Sequence, residues 1–255
     1  MAQEIAVGNV PGGSTRLMAK RRFYWRIALA VAGLAVLGMV RFASLNAQNA
    51  TTLLACLVGL IVVGRVLLPG MDFLKKREAQ AIQGARAEEE VASILARFPD
   101  SCIILHDIAA RYGNIDHLVL REDGAIFLIE TKSHRGKITA ESGILSRNGL
   151  PFEKDFIRQT TTNVFWLRDI LREQFQIKAW VNAAIVFPNA FVAVRSTLYG
   201  VDVINTNCLE HWIQKARGNP EVATQIALQR DRLRMALGGN EPRWSARPVH
   251  ELVEG

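Results

Sequence analysis

Asp116, Glu130 and Lys132 are residues whose types and spacing could do chemistry together. Asp116 lies in the apolar run Asn114–Leu120, and Glu130-Thr131-Lys132 closes a second run that begins at Ala125. Between the runs stand Arg121, Glu122, Asp123 and Gly124. A glycine closing a three-residue loop between β-branched and aliphatic runs predicts a hairpin. With Glu122, Asp123 and Gly124 as the loop, Arg121 pairs with Ala125, and counting back along both strands sets Asp116 opposite Glu130. Directly opposed residues share a face, with Cβ atoms about 4.5–5.5 Å apart. Lys132, two residues beyond Glu130, projects from that same face.

Two carboxylates opposed in an otherwise apolar hairpin repel each other. A divalent cation removes the conflict, and hard carboxylate oxygens are what Mg²⁺ or Mn²⁺ prefers. A lysine beside that cation could orient or deprotonate a water and stabilise charge developing on a phosphate. The set is what a metal-dependent phosphodiesterase needs. The plainer alternative is a cross-strand ion pair at a solvated sheet end, with Lys132 neutralising one acid.

Two helices are expected to position this hairpin. From Glu78 to Phe98, residues Ala81, Gly84, Glu88, Val91, Leu95 and Phe98 form one stripe at spacings of three and four. Glu88 is then an acid on the buried stripe, where a carboxylate needs a cation or hydrogen-bond donors. It reads either as an outer metal ligand or as a helix N-terminal acid complementing the dipole. A second helix, about Asp155 to Phe175, carries Gln159 on a stripe with Phe156, Asn163, Trp166 and Ile170. His117, next to Asp116, faces the other way and is expected to pack rather than to catalyse.

Ile115-Asp116-His117-Leu118-Val119-Leu120, then Gly124 through Lys132, then Gly136, resembles the core of the nuclease-related (NERD) domain. That family is assigned to the PD-(D/E)XK nuclease superfamily. Gly84-Ala85-Arg86-Ala87-Glu88-Glu89-Glu90-Val91 resembles the family's entry helix, and Asp155-Phe156-Ile157-Arg158-Gln159 its later helix. The resemblance covers roughly residues 84–188. It departs at Asn114, where the family often has a longer amide or an acid, at Ala87 in place of a usual glycine, and in lacking Asn-Pro before Gln159. The resemblance implies an α/β, restriction-endonuclease-like mixed sheet flanked by helices. It also implies Mg²⁺ or Mn²⁺ on Asp116 and Glu130, the Thr131 carbonyl as a further metal ligand, and Gln159 orienting the attacking water or a phosphate. A buried amide satisfied by backbone is the duller reading of Gln159.

The front of the chain carries a different signal. Ile27–Val40 is an unbroken apolar run of 14 residues, short of the roughly 20 a bilayer requires. Phe23, Tyr24 and Trp25 extend it, and Arg26 and Arg41 can snorkel. A second run, Leu53–Leu68, is broken only by Arg65. Two spans, about 23–43 and 52–69, joined by a short polar loop, make a membrane hairpin within residues 23–69. Lys20, Arg21, Arg22 and Arg26 precede it, and Arg65, Lys75, Lys76 and Arg77 close it, so both termini are expected in the cytoplasm. A signal peptide is the rival, though no clear small-residue cleavage site precedes the second span.

The net charge of +7 looks like that of a nucleic-acid binder, but residues 1–70 hold 7 Lys and Arg against one acid, and residues 71–255 hold 24 against 23. The excess base therefore belongs to topology and to contact with anionic lipid. Local cations, Arg135, Lys137, Arg147 and Arg158, could still meet phosphates. Three cysteines without a CxxC argue against zinc and against a disulfide scaffold. The absence of P-loop, GxGxxG, GxSxG and HExxH patterns removes support for nucleotide-driven, serine or zinc hydrolase chemistry.

The expected layout is thus a basic N-terminus (1–22), the hairpin, a linker or helix start (70–83), one α/β domain (84–237) and a disordered tail (238–255). Within the domain we expect strands at 101–108, 178–187 and 201–204, a hairpin turning at Glu141-Ser142-Gly143, a helix at 208–217 and one last helix from Pro220 to Leu237. The function expected is membrane-anchored, metal-dependent hydrolysis of nucleic acid, DNA ahead of RNA. A non-catalytic tethered scaffold and an enzyme of non-nucleic phosphodiesters stay open.

Overall fold

The computed structural model describes residues 11–45, 50–111 and 113–238. Of the expected interhelical loop, about 43–52, residues 43–45 and 50–52 are helical; 46–49, like the tail from 239 onward, lie outside the described residues. Contacts divide the chain into two units, Ser14–Gln83 and a second that joins the residues from Gly84 onward with those before Ser14.

The first unit is helical. It contains α1 (Gly13–Leu45), α2 (Ala50–Val62), a π-helical turn (Val63–Leu67) and the front of α3 (Leu68–Leu95). Residues 70–83, expected as a linker or helix start, are helix throughout. Two runs, Gly13–Phe42 and Leu57–Leu95, are long and apolar enough to cross a membrane. They pack antiparallel. A Cβ on Gly59 would stand 2.7 Å from Val40, one on Gly33 3.6 Å from Leu67, and one on Gly70 3.6 Å from Leu29. Small residues at such crossings let helices approach where no hydrophobic effect draws them together. At one end of the pair Arg26 bonds Glu78 at 2.5 Å and Arg22 donates to the Arg77 carbonyl.

The second unit is built on a five-stranded mixed sheet of order β1-β2-β3-β7-β9. Its strands are β1 (Ile103–Ala110), β2 (Gly113–Leu120), β3 (Ile126–Thr131), β7 (Val181–Val186) and β9 (Val201–Ile204). β1, β2 and β3 run antiparallel; β3, β7 and β9 run parallel. All six residues of central β3 are buried, as a strand covered on both faces requires. One face carries Ile103, Leu105, Leu118, Leu120, Ile126 and Leu128 against Trp166, Leu167, Ile170 and Leu171 of α4 (Phe156–Phe175). Val119, Phe127 and Ile129 on the other face meet Val91 and Leu95 of α3 and Leu209 and Ile213 of α5 (Thr206–Lys215). A small sheet, β6-β5-β4-β8, adjoins the start of α4. It comprises β4 (Gly136–Glu141), β5 (Ile144–Arg147), β6 (Leu150–Pro151) and β8 (Ala190–Val192).

The hairpin register is the expected one: Leu120 pairs with Ile126, Val119 with Phe127, Leu118 with Leu128 and His117 with Ile129. The Arg121 amide donates to the Ala125 carbonyl, and Gly124 sits at φ +86. The β4–β5 turn also falls as expected, at Ser142 and Gly143, both with positive φ. The last helix does not. It is two helices, α6 (Pro220–Leu228) and α7 (Arg230–Gly238), broken at Gln229 (φ −117, ψ 18). There the Gln229 side chain donates to the Phe175 carbonyl, and Arg230 donates to the carbonyls of Asp100, Ser101 and Cys102. These long-range anchors outweigh local helix propensity. Strands β6 and β8, too short for a periodic signal, were not expected.

Candidate active site

The site forms where β2 and β3 part. Their ladder ends at His117↔Ile129; beyond it β2 continues only with β1, through Ile115↔Ile108 and Asn114↔Ala109, and β3 only with β7, through Glu130↔Ile185 and Thr131↔Val186. Asp116 and Glu130 thus face the gap instead of pairing as a regular cross-strand couple. Asp116 Oδ2 accepts the Thr131 backbone N–H at 2.6 Å, taking the place of a ladder carbonyl. The gap opens beyond the carboxyl ends of parallel β3 and β7, the usual position of sites on open α/β sheets.

Glu130 is buried, 2 % exposed, although it is an acid. Its Oε1 lies 2.5 Å from the Lys132 ammonium, while its Oε2, also buried, has no hydrogen-bond partner. Lys132 Nζ rests over the Phe156 ring, 4.7 Å from the centroid, because the α4 N-cap Asp155, bonded to the Arg158 amide, places Phe156 in the helix's first turn. Beside it His134, Phe152, Phe156 and Phe187 form an aromatic cluster.

Burial above all, then the charges of Glu130 and Glu88, raises the Asp116 pKa well above the ordinary carboxylate value; Lys132 and the Thr131 N–H oppose this. Burial works against the Lys132 ammonium too. The charges of Glu130, Asp116 and Glu88, with the Glu130 hydrogen bond, outweigh it and hold its pKa above that of a free lysine. Lys132 is therefore a cation at neutral pH and a poor general base.

The other expected residues are placed as follows. Glu88, half-buried on α3, is close enough for its charge to reach Asp116 and Lys132. Among the described residues, however, no three His, Cys, Asp or Glu side chains converge as a ready-made metal cage. Thr131 is buried, with its hydroxyl oxygen unpartnered. Gln159 is half-buried on α4, its Nε2 4.0 Å from where a Cβ on Gly113 would stand, at the start of β2. Its stripe partners Phe156, Asn163, Trp166 and Ile170 are all buried. Arg135, Lys137 and Arg158 are exposed. His117 is fully buried, and its Nδ1 lies 2.7 Å from His106 Nδ1 on the paired strand. Phe156 beneath Lys132 and the Thr131 amide on Asp116 were not expected; both arise from contacts remote in sequence or from the strand split.

The donor set fits a hard divalent cation. An unpartnered, buried carboxylate oxygen on Glu130 and a carboxyl on Asp116 crowded by two like charges both gain from a positive charge in the gap. An ion pair does exist at Lys132–Glu130, but along one strand rather than across two, and in a buried place rather than a solvated one. It leaves Glu130 Oε2 and Asp116 unaccounted for.

The family model NERD, nuclease-related domain, matches residues 83–188, a span that includes Glu88, Asp116, Glu130, Lys132 and Gln159. No curated protein and no solved structure matches the chain. Residues 83–188 of this chain are therefore similar to the nuclease-related domain and have a mixed α/β fold, and two apolar runs, Gly13–Phe42 and Leu57–Leu95, stand at the front of the chain.

Proposed function

We propose that this protein is a membrane-anchored, metal-dependent nuclease whose site is the gap between Asp116 and Glu130. The observation that carries the reading is Glu130 itself: a buried acid with one oxygen on Lys132 and the other without a partner, next to a second, half-buried acid. Asp116 and Glu130 would hold Mg²⁺ or Mn²⁺, with the Thr131 carbonyl as a further oxygen donor and Glu88 adding negative charge nearby. When bound, the ion supplies Lewis acidity to the scissile phosphate and lowers the pKa of a coordinated water. Lys132, kept protonated by its carboxylate neighbours and fixed over Phe156, stabilises the negative charge that builds on the phosphoryl oxygens. The Thr131 N–H holds the Asp116 carboxylate in the plane of the sheet. Gln159, at the β2 side of the gap, orients water or phosphate, and Arg135, Lys137 and Arg158 contact the nucleic-acid backbone.

The two apolar helices anchor the chain in lipid as a hairpin. Arg22, Arg26 and Arg77 meet at one end of the pair, the end away from Leu45 and Ala50. By the positive-inside tendency that end faces the cytoplasm.

The test uses the full-length protein in detergent micelles with Mn²⁺, plasmid DNA and structured RNA in parallel, beside Glu130→Gln. Cleavage that disappears in EDTA and falls at least about 100-fold in Glu130→Gln, as expected for loss of a charge-stabilising group, supports the reading and names the polymer. Cleavage equal in both proteins would refute it.

A further inference from the structure

Phe191 is an exposed aromatic on the small sheet, 69 % accessible, and it is set apart by its neighbours. β8 pairs parallel with β4, placing Phe191 beside Lys137. Ile138 and Leu145 of this sheet point into the core, so by strand alternation Lys137, Thr139 and Phe191 stand on the outer face. Arg135 and Lys137 are exposed and, among the described residues, make no ion pair. These two cations contrast with the near-neutral balance of residues 71–255. A lone exposed apolar residue is ordinary; an exposed ring paired in register with an unpaired lysine matches the platform that binds single strands, where a base stacks on the ring and cations track the phosphates.

The position is also connected to the site. Both strands of the platform arise directly from the gap: β4 follows Lys132 by way of Ser133–Arg135, and β8 follows β7, whose Val186 carbonyl accepts the Lys132 amide. Lys137 is five residues from Lys132, and Phe191 five from Val186. Each therefore lies within about 18 Å of that junction even along a fully extended chain, a span of a few nucleotides.

We propose that the outer face of the small sheet at Lys137 and Phe191 binds an unpaired nucleic-acid strand, Phe191 stacking on a base and Lys137 and Arg135 holding adjacent phosphates. The surface selects single-stranded over duplex substrate, because paired bases do not offer their faces. Its role as a substrate guide rests on the nuclease reading of the gap, but the binding can be measured without cleavage.

The experiment is fluorescence anisotropy on the full-length protein in detergent micelles and EDTA. The probes, each about 15 nucleotides, are labelled oligothymidylate, oligouridylate, an abasic strand and a duplex. Phe191→Ala should weaken both base-bearing single strands about 10-fold and leave the abasic strand and duplex unchanged; Phe191→Trp should bind as wild type does. Lys137→Ala should weaken every single strand and reduce the slope of log affinity against log salt by about 0.7. The proposal is overturned if the wild type binds neither base-bearing single strand, or if Phe191→Ala leaves all four affinities unchanged or lowers them equally. A selective Phe191 effect in a protein that fails the Glu130→Gln cleavage test would keep the surface and remove the nuclease reading. Glu130-dependent cleavage without a Phe191 effect would do the reverse.

Discussion

Lys132→Met removes the ammonium that lies 2.5 Å from Glu130 and keeps an apolar chain over Phe156. Glu130 then stays buried with no cation beside it, and Asp116 loses the one positive charge that opposes its burial and the repulsion from Glu130 and Glu88. Breaking a buried pair by deleting one partner costs about 3–5 kcal/mol. At about 2–4 °C per kcal/mol for a domain of this size, Tm should fall by about 6–20 °C. Glu130→Gln should cost less, because the amide oxygen still accepts from Lys132 and one negative charge has gone. Lys132→Met with Glu130→Gln buries no charge at this pair and should recover to within about 1 kcal/mol of wild type. The assay is thermal unfolding in EDTA, followed by tryptophan fluorescence of the full-length protein in detergent; Trp166 and Trp212 lie in the second unit. Mn²⁺ should restore part of the Lys132→Met loss, since a cation in the gap replaces the missing ammonium. If Lys132→Met lies within about 1 kcal/mol of wild type, or the double variant is no more stable than Lys132→Met, the pair does not carry the charge balance assigned to it.

The raised Asp116 pKa sets a pH dependence. The folded state holds that proton more tightly than the unfolded chain, so in EDTA stability declines as pH rises from 3.8 through the raised value, by up to about 1.4 kcal/mol per pH unit. Asp116→Asn should flatten this slope in urea titrations; an identical slope in the variant would show that another group causes it. Mn²⁺ at about 100 times its Kd should add about 2.7 kcal/mol to the wild type at neutral pH and far less to Asp116→Asn. Gly124→Ala should destabilise by more than about 2 kcal/mol: φ +86 is strained for alanine, and the new Cβ would stand 2.1 Å from the Asn219 carbonyl and 2.7 Å from the Ala223 amide. An unchanged urea midpoint would contradict that close approach.

The hairpin was legible because its signals are local. A glycine at positive φ sets the loop, and period-two alternation then fixes which residues oppose which, down to His117 and Ile129. The helix around Gln159 and the strand Val201–Ile204 were legible for the same reason, through a buried stripe and a short β-branched run. Pairing alone could not show where the ladder stops, because the Asp116 side chain replaces a backbone acceptor and only the folded sheet reveals the substitution. Phe156 under Lys132, the break at Gln229 and the pairing of β8 with β4 depend on partners tens of residues away. Lys132 illustrates the limit most plainly. Acid-x-lysine spacing allows a base or an electrostatic role, and only three nearby carboxylates together decide for the cation.

The parting of β2 and β3 explains how the same residues avoid becoming an inert ion pair. In an unbroken ladder the Thr131 N–H would bond a β2 carbonyl, and nothing in the sheet plane would hold Asp116. With the strands apart, that N–H holds the Asp116 carboxylate at 2.6 Å, while Lys132 satisfies only one oxygen of Glu130. One ammonium then stands among the carboxylates of Asp116, Glu130 and Glu88, each contributing to the potential at Lys132. With all three ionised the local charge is two units negative, which a divalent cation cancels. Ionising all three therefore costs the fold stability, and a divalent ion held in the gap would offset that cost.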